Sequence, residues 1–89
     1  MDKWVERLNL MPLEMGLERH GDTIQNRIIF YETFLNQSDK VVSQFEREER
    51  YKLVTTLSEE EYLELEELRE QAVLKIQQLS KDPESTGFF

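Results

Sequence analysis

Apolar positions recur along most of this chain with the period of an α-helix. Between Ser58 and Leu79, residues Leu65, Leu68, Ala72, Ile76 and Leu79 follow one another at spacings of three and four, which places them on one helical face. That face has to be covered. Upstream, Ile24, Ile28, Tyr31 and Leu35 make a matching stripe that Phe30 and Phe34 widen, and Val41, Val42 and Phe45 continue it. A heptad count from Ile28 through Leu35 to Val42 stays in register, so one long helix to about Arg50 is predicted. The run Asn36-Gln37-Ser38-Asp39 offers a kink near Ser38 without forbidding the helix.

Local signals mark the helix ends. Gly21 suits a turn, and Asp22 followed three residues on by Gln25 reads as an N-cap with a capping-box partner. A second turn is expected within Tyr51 to Leu57. Ser58 then has Glu61 at the capping-box position, and Leu57 with Tyr62 stands at the spacing of a hydrophobic staple. Glu59, Glu60 and Glu61 fall in the first turn, where the helix dipole favours negative charge. Near the N-terminus, Trp4, Leu8, Met11 and Met15 are spaced four, three and four apart, but Pro12 interrupts the stripe. A first helix ending near Leu10 and a second short one opened by Pro12 and running through Leu17 follow from this.

These elements predict an all-α protein: an antiparallel helical hairpin over about residues 22–50 and 58–80, with one or two short N-terminal helices packed across it in a three-helix-type bundle. Leu63, Val73 and Leu74 lie off the main stripe of the last helix, which calls for a third helix or for a dimer. Residues 1–80 are expected to form one domain, because 89 residues are too few for two cores. Residues 81–89, with proline, glycine and small polar side chains, read as a flexible tail whose Phe88 and Phe89 could dock on the body or on a partner.

Composition narrows the function classes. Charged residues make up 34 % and hydrophobic ones 38 %, which fits solvated helices around a thin core. The chain has no run of about 18 apolar residues, so no membrane role is expected. The stretch MDKWVERLNL carries acids and lacks the apolar centre of a secretion signal. Without cysteine there is neither a disulfide framework nor thiolate chemistry, and an intracellular origin is the default expectation. A net charge of −8 argues against direct binding of nucleic acid and favours a protein partner with a basic surface.

No catalytic constellation emerges, and an enzyme is not expected. His20 beside Glu18 and Asp22 lacks the convergent ligands that zinc needs, and no Glu-x-x-His pair sits on a helix as a di-iron bundle requires. No metal and no cofactor are called for. Ten glutamates stand between Glu46 and Glu70 against Arg47, Arg50, Lys52 and Arg69. Glu60, Glu64 and Glu67 line one helical face, so one function to weigh is an acidic inhibitor that imitates a nucleic-acid backbone and blocks the basic groove of a DNA- or RNA-binding enzyme. The other is partner binding through apolar anchors. Trp4, Met11 and Met15 are the candidates, as are Phe88 and Phe89, because Trp is enriched at binding hot spots and Met adapts to irregular surfaces. The same three N-terminal residues could instead close the chain's own core.

The segment Tyr31-Glu32-Thr33-Phe34-Leu35-Asn36-Gln37-Ser38-Asp39, followed by Leu57-Ser58-Glu59-Glu60-Glu61-Tyr62 and then by Arg69, Ala72, Ile76 and Leu79, resembles a helical hairpin of small tail-associated proteins of bacteriophages and prophages. There a Y-x-x-F/L-L-x-x-T/S-D segment precedes an S-E-E-E-Y helix start. The likeness spans about residues 28 to 79 and departs at Lys40, where an aromatic residue usually stands, and over Met1 to Gly21. It implies a phage origin and a tail-associated role, in the cytoplasm of a bacterial host or on a virion; with the missing catalytic motifs and the off-stripe apolar residues, the expectation is a non-enzymatic assembly or interaction protein that could be a homo-oligomer. Ile28, Phe34, Phe45, Leu68 and Ile76, together with Trp4, are then expected in the core or at an interface.

Overall fold

A computed structural model describes residues 2–81 of the chain. They form α1 (Asp2–Arg7), α2 (Leu13–His20), α3 (Ile24–Arg50) and α4 (Glu59–Lys81). The described residues are about 80 % helical, with no strand among them, so the fold is all-α. No helix among them is long and apolar enough to cross a membrane.

Each helix end has a local cause. At α4, the Ser58 amide donates to Glu61 Oε1 at 3.1 Å while the Glu61 amide donates to Ser58 Oγ at 3.1 Å, the reciprocal box that the sequence predicts. At α3 the expectation needs correcting. Thr23, not Asp22, is the N-cap, and its hydroxyl accepts from the Asn26 amide at 3.1 Å. Asp22 is held instead by Arg27, whose Nε and Nη2 donate to its two oxygens at 2.8 and 3.0 Å. A bidentate pair with Arg27 in the first turn of α3 occupies both Asp22 oxygens, and Thr23 makes the cap bond.

The N-terminal stripe is also cut differently. α1 stops at Arg7, earlier than Leu10, because Asn9 takes a left-handed φ of 62°. The Leu10 amide then donates to Val5 O at 2.8 Å and the Asn9 amide to Glu6 O at 3.1 Å, a Schellman stop. Periodicity cannot carry across such a reversal. Trp4 and Leu8 therefore turn inward, while Met11 and Met15 stay outside. Pro12 sits one position before α2, as its N-cap, and α2 continues past Leu17 to His20.

α3 runs unbroken through Ser38, which is fully buried with its hydroxyl bonded to Leu35 O at 3.1 Å. α3 and α4 pack on each other. Phe45 stacks on Tyr62 with ring centroids 4.4 Å apart, whereas Arg69, further along α4, meets Asp39, earlier in α3, at 3.5 Å. The contacts thus run in opposite senses along the two helices. Trp4, Phe34, Val42, Phe45, Leu57, Leu65 and Ala72 form the buried cluster. Leu68 packs against it, and Ile28 and Ile76, also expected there, are only half-buried.

The core is thin. The described residues measure 54 × 24 × 16 Å with a radius of gyration of 15.3 Å, against about 12 Å for a compact domain of similar length. The expected tail, with Phe88 and Phe89, lies outside the described residues except for Lys81, which closes α4.

Candidate interaction surface

The two N-terminal helices meet the long pair in different ways. α1 is bolted down. Trp4 is 2 % exposed, and its indole Nε1 donates to Glu64 Oε1 at 2.9 Å. Lys3 Nζ lies 3.2 Å from the same oxygen and 3.7 Å from Glu61 Oε2, and Arg7 Nη1 donates to that Glu61 oxygen at 2.7 Å. The Arg7 guanidinium also covers the Trp4 ring at 4.5 Å from its centroid.

These contacts favour the charged form of both glutamates. The Ser58 amide, with Arg7 and Lys3, holds Glu61 below its ordinary 4.5. The Trp4 N–H and then Lys3 do the same for Glu64. Glu61 therefore caps α4 with one oxygen and anchors α1 with the other.

That division changes the acidic row. Glu60 and Glu67 are exposed and make no ion pair among the described residues, but Glu64 between them is committed to α1. Trp4 is likewise turned into the chain's own core. Spacing alone could not reveal this, because the residues that meet are 60 apart in sequence.

α2 has no buried residue; it lies along α3, where Asn26 Nδ2 donates to the His20 and Gly21 carbonyls at 3.2 and 2.8 Å. Between it and the first turns of α3 lies an apolar groove of about 180 Å³, lined by Leu13, Gly16 and Leu17 on one side and by Ile29, Phe30 and Thr33 on the other. Met11 joins the lining from the connection before α2 and is 39 % exposed; Met15, on α2, is 50 % exposed. His20 also borders this groove and belongs to no ligand cluster. Gly16 lines it without a side chain, and a Cβ there would make only ordinary contact with the Met11 sulfur at 3.8 Å. Sequence reading picked out Met11 and Met15 but missed Gly16 and Ile29. A glycine inside a short helix was the available signal.

A second exposed apolar feature was also missed. α3 ends in the same Schellman stop as α1: the Leu53 amide donates to Glu48 O at 2.8 Å, the Lys52 amide to Glu49 O at 3.1 Å, and Lys52 has φ 57°. In such stops the apolar residue after the left-handed position usually packs back on the helix. Leu10 does so at the end of α1, whereas Leu53 is 60 % exposed, between Tyr51 and a Val54 that is 94 % exposed. The turn is nevertheless firm. The Glu48 carboxylate accepts from the Thr56 amide and hydroxyl at 2.9 Å each, which holds Glu48 below its ordinary value, and the Thr55 hydroxyl donates to Leu57 O at 2.7 Å.

Among the described residues no three or more His, Asp or Glu side chains converge as metal ligands would. The features built here are apolar surfaces set in charge, which suit binding a macromolecule. Set against models of protein families, curated proteins and solved structures, the chain matches none.

Proposed function

We propose that the chain is a non-enzymatic protein-interaction or assembly protein that works as a helical hairpin of α3 and α4 braced by α1, with α2 and the groove beneath it as the docking element. The observation that carries this is α2 itself: an amphipathic helix without a buried residue beside an open apolar groove is a poor way to stabilise a fold and a good way to receive a side chain from elsewhere. Met11 in its lining suits a contact that must adapt its shape, whereas the exposed Met15 lies outside the groove. The likeness of residues 28–79 to phage tail-associated hairpins supports a phage origin and a role in assembly, in a bacterial cytoplasm or on a virion.

The test is a photo-crosslinking residue at position 11, in the lining of the groove, with the chain exposed to an extract of the cells that carry its gene. A discrete protein adduct that disappears with Gly16→Leu supports docking at the groove. Labelling at position 11 no greater than from an exposed site such as Lys40 sinks it.

The acidic-inhibitor function keeps one specific support: Glu60 and Glu67 stay exposed and unpaired among the described residues. Its test must spare Glu64, whose loss would loosen α1. Glu60→Gln with Glu67→Gln should abolish inhibition of a DNA- or RNA-binding enzyme and leave groove docking intact.

A further inference from the structure

The groove between α2 and α3 does not end at its apolar lining. Leu10, Pro12, Leu13 and Phe30 also wall a broader recess of about 740 Å³, where Glu6 and Glu14 stand. We propose that the two recesses together receive a basic segment of another protein, which places an apolar side chain in the groove and a neighbouring Lys or Arg against Glu6 and Glu14. This rests on the groove being a protein-docking site and names the chemistry of its occupant.

Size and placement suit such a pair. An apolar space of about 180 Å³ is in the class that takes up a benzene-sized group, so it has room for a Leu, Met or Phe side chain. Because the two recesses share a wall, the next residue of an extended segment, about 3.8 Å further on, comes to lie over the acidic one. A Lys or Arg there can rest its stem on the shared apolar wall while its charged head stays beside a carboxylate.

Charge selects the partner. Glu6 and Glu14 are exposed and make no ion pair among the described residues, and His20 is the one residue of either lining able to carry positive charge. Nearby cations are already taken: Arg7 pairs with Glu61 and Arg27 with Asp22. Further out on α2 and α3, Glu18 and Glu32 are exposed and unpaired against Arg19 and Lys40, so the surroundings do not cancel the two acids. The chain itself is a poor occupant. A second copy brings a net charge of −8, and residues 82–89 carry Asp82 and Glu84 without a Lys or Arg. Nucleic acid and anionic lipid are repelled for the same reason, whereas a basic protein segment is drawn in.

The experiment titrates a capped pentapeptide, leucine between two lysines with glycine at each end, into the full chain at about 50 mM salt and follows it by NMR. Shifts should centre on Leu13, Gly16, Leu17 and Ile29, with a Kd of roughly 0.1 to 1 mM for one anchor and two charges. Replacing the peptide's leucine by alanine, or both lysines by glutamate, should weaken binding about tenfold or more. Glu6→Gln with Glu14→Gln should do the same, and about 0.5 M salt should too, while Glu60→Gln with Glu67→Gln should change binding less than about twofold. Circular dichroism checks that each variant stays helical, and the single exchanges at Glu6 and Glu14 replace the double one if it does not. A peptide that does not saturate by about 10 mM, equal binding of the glutamate peptide, indifference to Glu6 and Glu14, or shifts centred on Glu60 and Glu67 would each overturn the proposal. If the position-11 adduct with a foreign protein forms equally well at high salt and in the Glu6→Gln, Glu14→Gln chain, groove docking survives and only the basic occupant is wrong. If neither the peptide nor the extract engages the groove, both readings fall.

Discussion

α1 and α2 are six and eight residues long, both too short to hold helical form alone in water, yet they are held in opposite ways. α1 inserts the one tryptophan into the core and is met by two glutamates placed for its cations. α2 rests on half-exposed side chains beside an open groove. What separates a strut from a docking surface is therefore whether a large side chain is swallowed and whether the charges around it are answered.

The difference breaks most severely at Trp4. Trp4→Ala should cost about 3–5 kcal/mol, a large share of the stability of so small a domain, and urea denaturation should show it. Met15→Ala should shift the same transition by less than about 0.5 kcal/mol. Comparable losses would mean that α2 is as structural as α1.

Acid should separate the two helices next. Glu61 and Glu64 are held below the ordinary value of 4.5 by groups that favour their charged form. Their contribution is complete above that value and fades as pH falls below it toward the depressed values. Trp4 fluorescence should accordingly shift to the red below about pH 4.5, and Glu61→Gln should move the onset upward. A Trp4 signal that stayed flat to the start of global unfolding would deny these carboxylates their part in seating α1.

Smaller effects test the helix ends. Thr23→Ala and Ser58→Ala should each cost about 1 kcal/mol in thermal or urea unfolding. Asp22→Ala should cost less than Thr23→Ala, because Asp22 makes no cap bond. The smallest changes should be gains. Gly16→Ala finds only ordinary contact with Met11 and should stabilise α2 by up to about 1 kcal/mol. Lys52→Gly should gain a similar amount, about 1 kcal/mol, by relieving a lysine of its left-handed backbone. A loss at Gly16 would mean that α2 cannot carry even one added methyl group.

Much of the fold was readable because its signals are local. The Ser58–Glu61 box spans three residues, and the stripes of α3 and α4 follow from helical period alone. Reading failed where two local answers competed. Asp22 and Thr23 were both suitable caps, and the choice fell to Arg27, which occupied Asp22. It failed again at Asn9, where one left-handed residue broke a stripe that looked continuous from Trp4 to Met15. Ser38 went unnoticed as a core residue because polarity, not position, was read from it.

The sequence by itself determined an all-α chain, its two long amphipathic helices and the cap of the last one, since these depend on neighbours within one or two turns. Tertiary structure alone decided that Trp4 goes inward while Met11 and Met15 stay out, and that Glu64 serves α1 while Glu60 and Glu67 remain free. It also decided that α2 leaves a groove and that Leu53 and Val54 face solvent. Those outcomes turn on which surfaces meet across 60 residues of chain, and spacing within a helix carries no record of what lies opposite it.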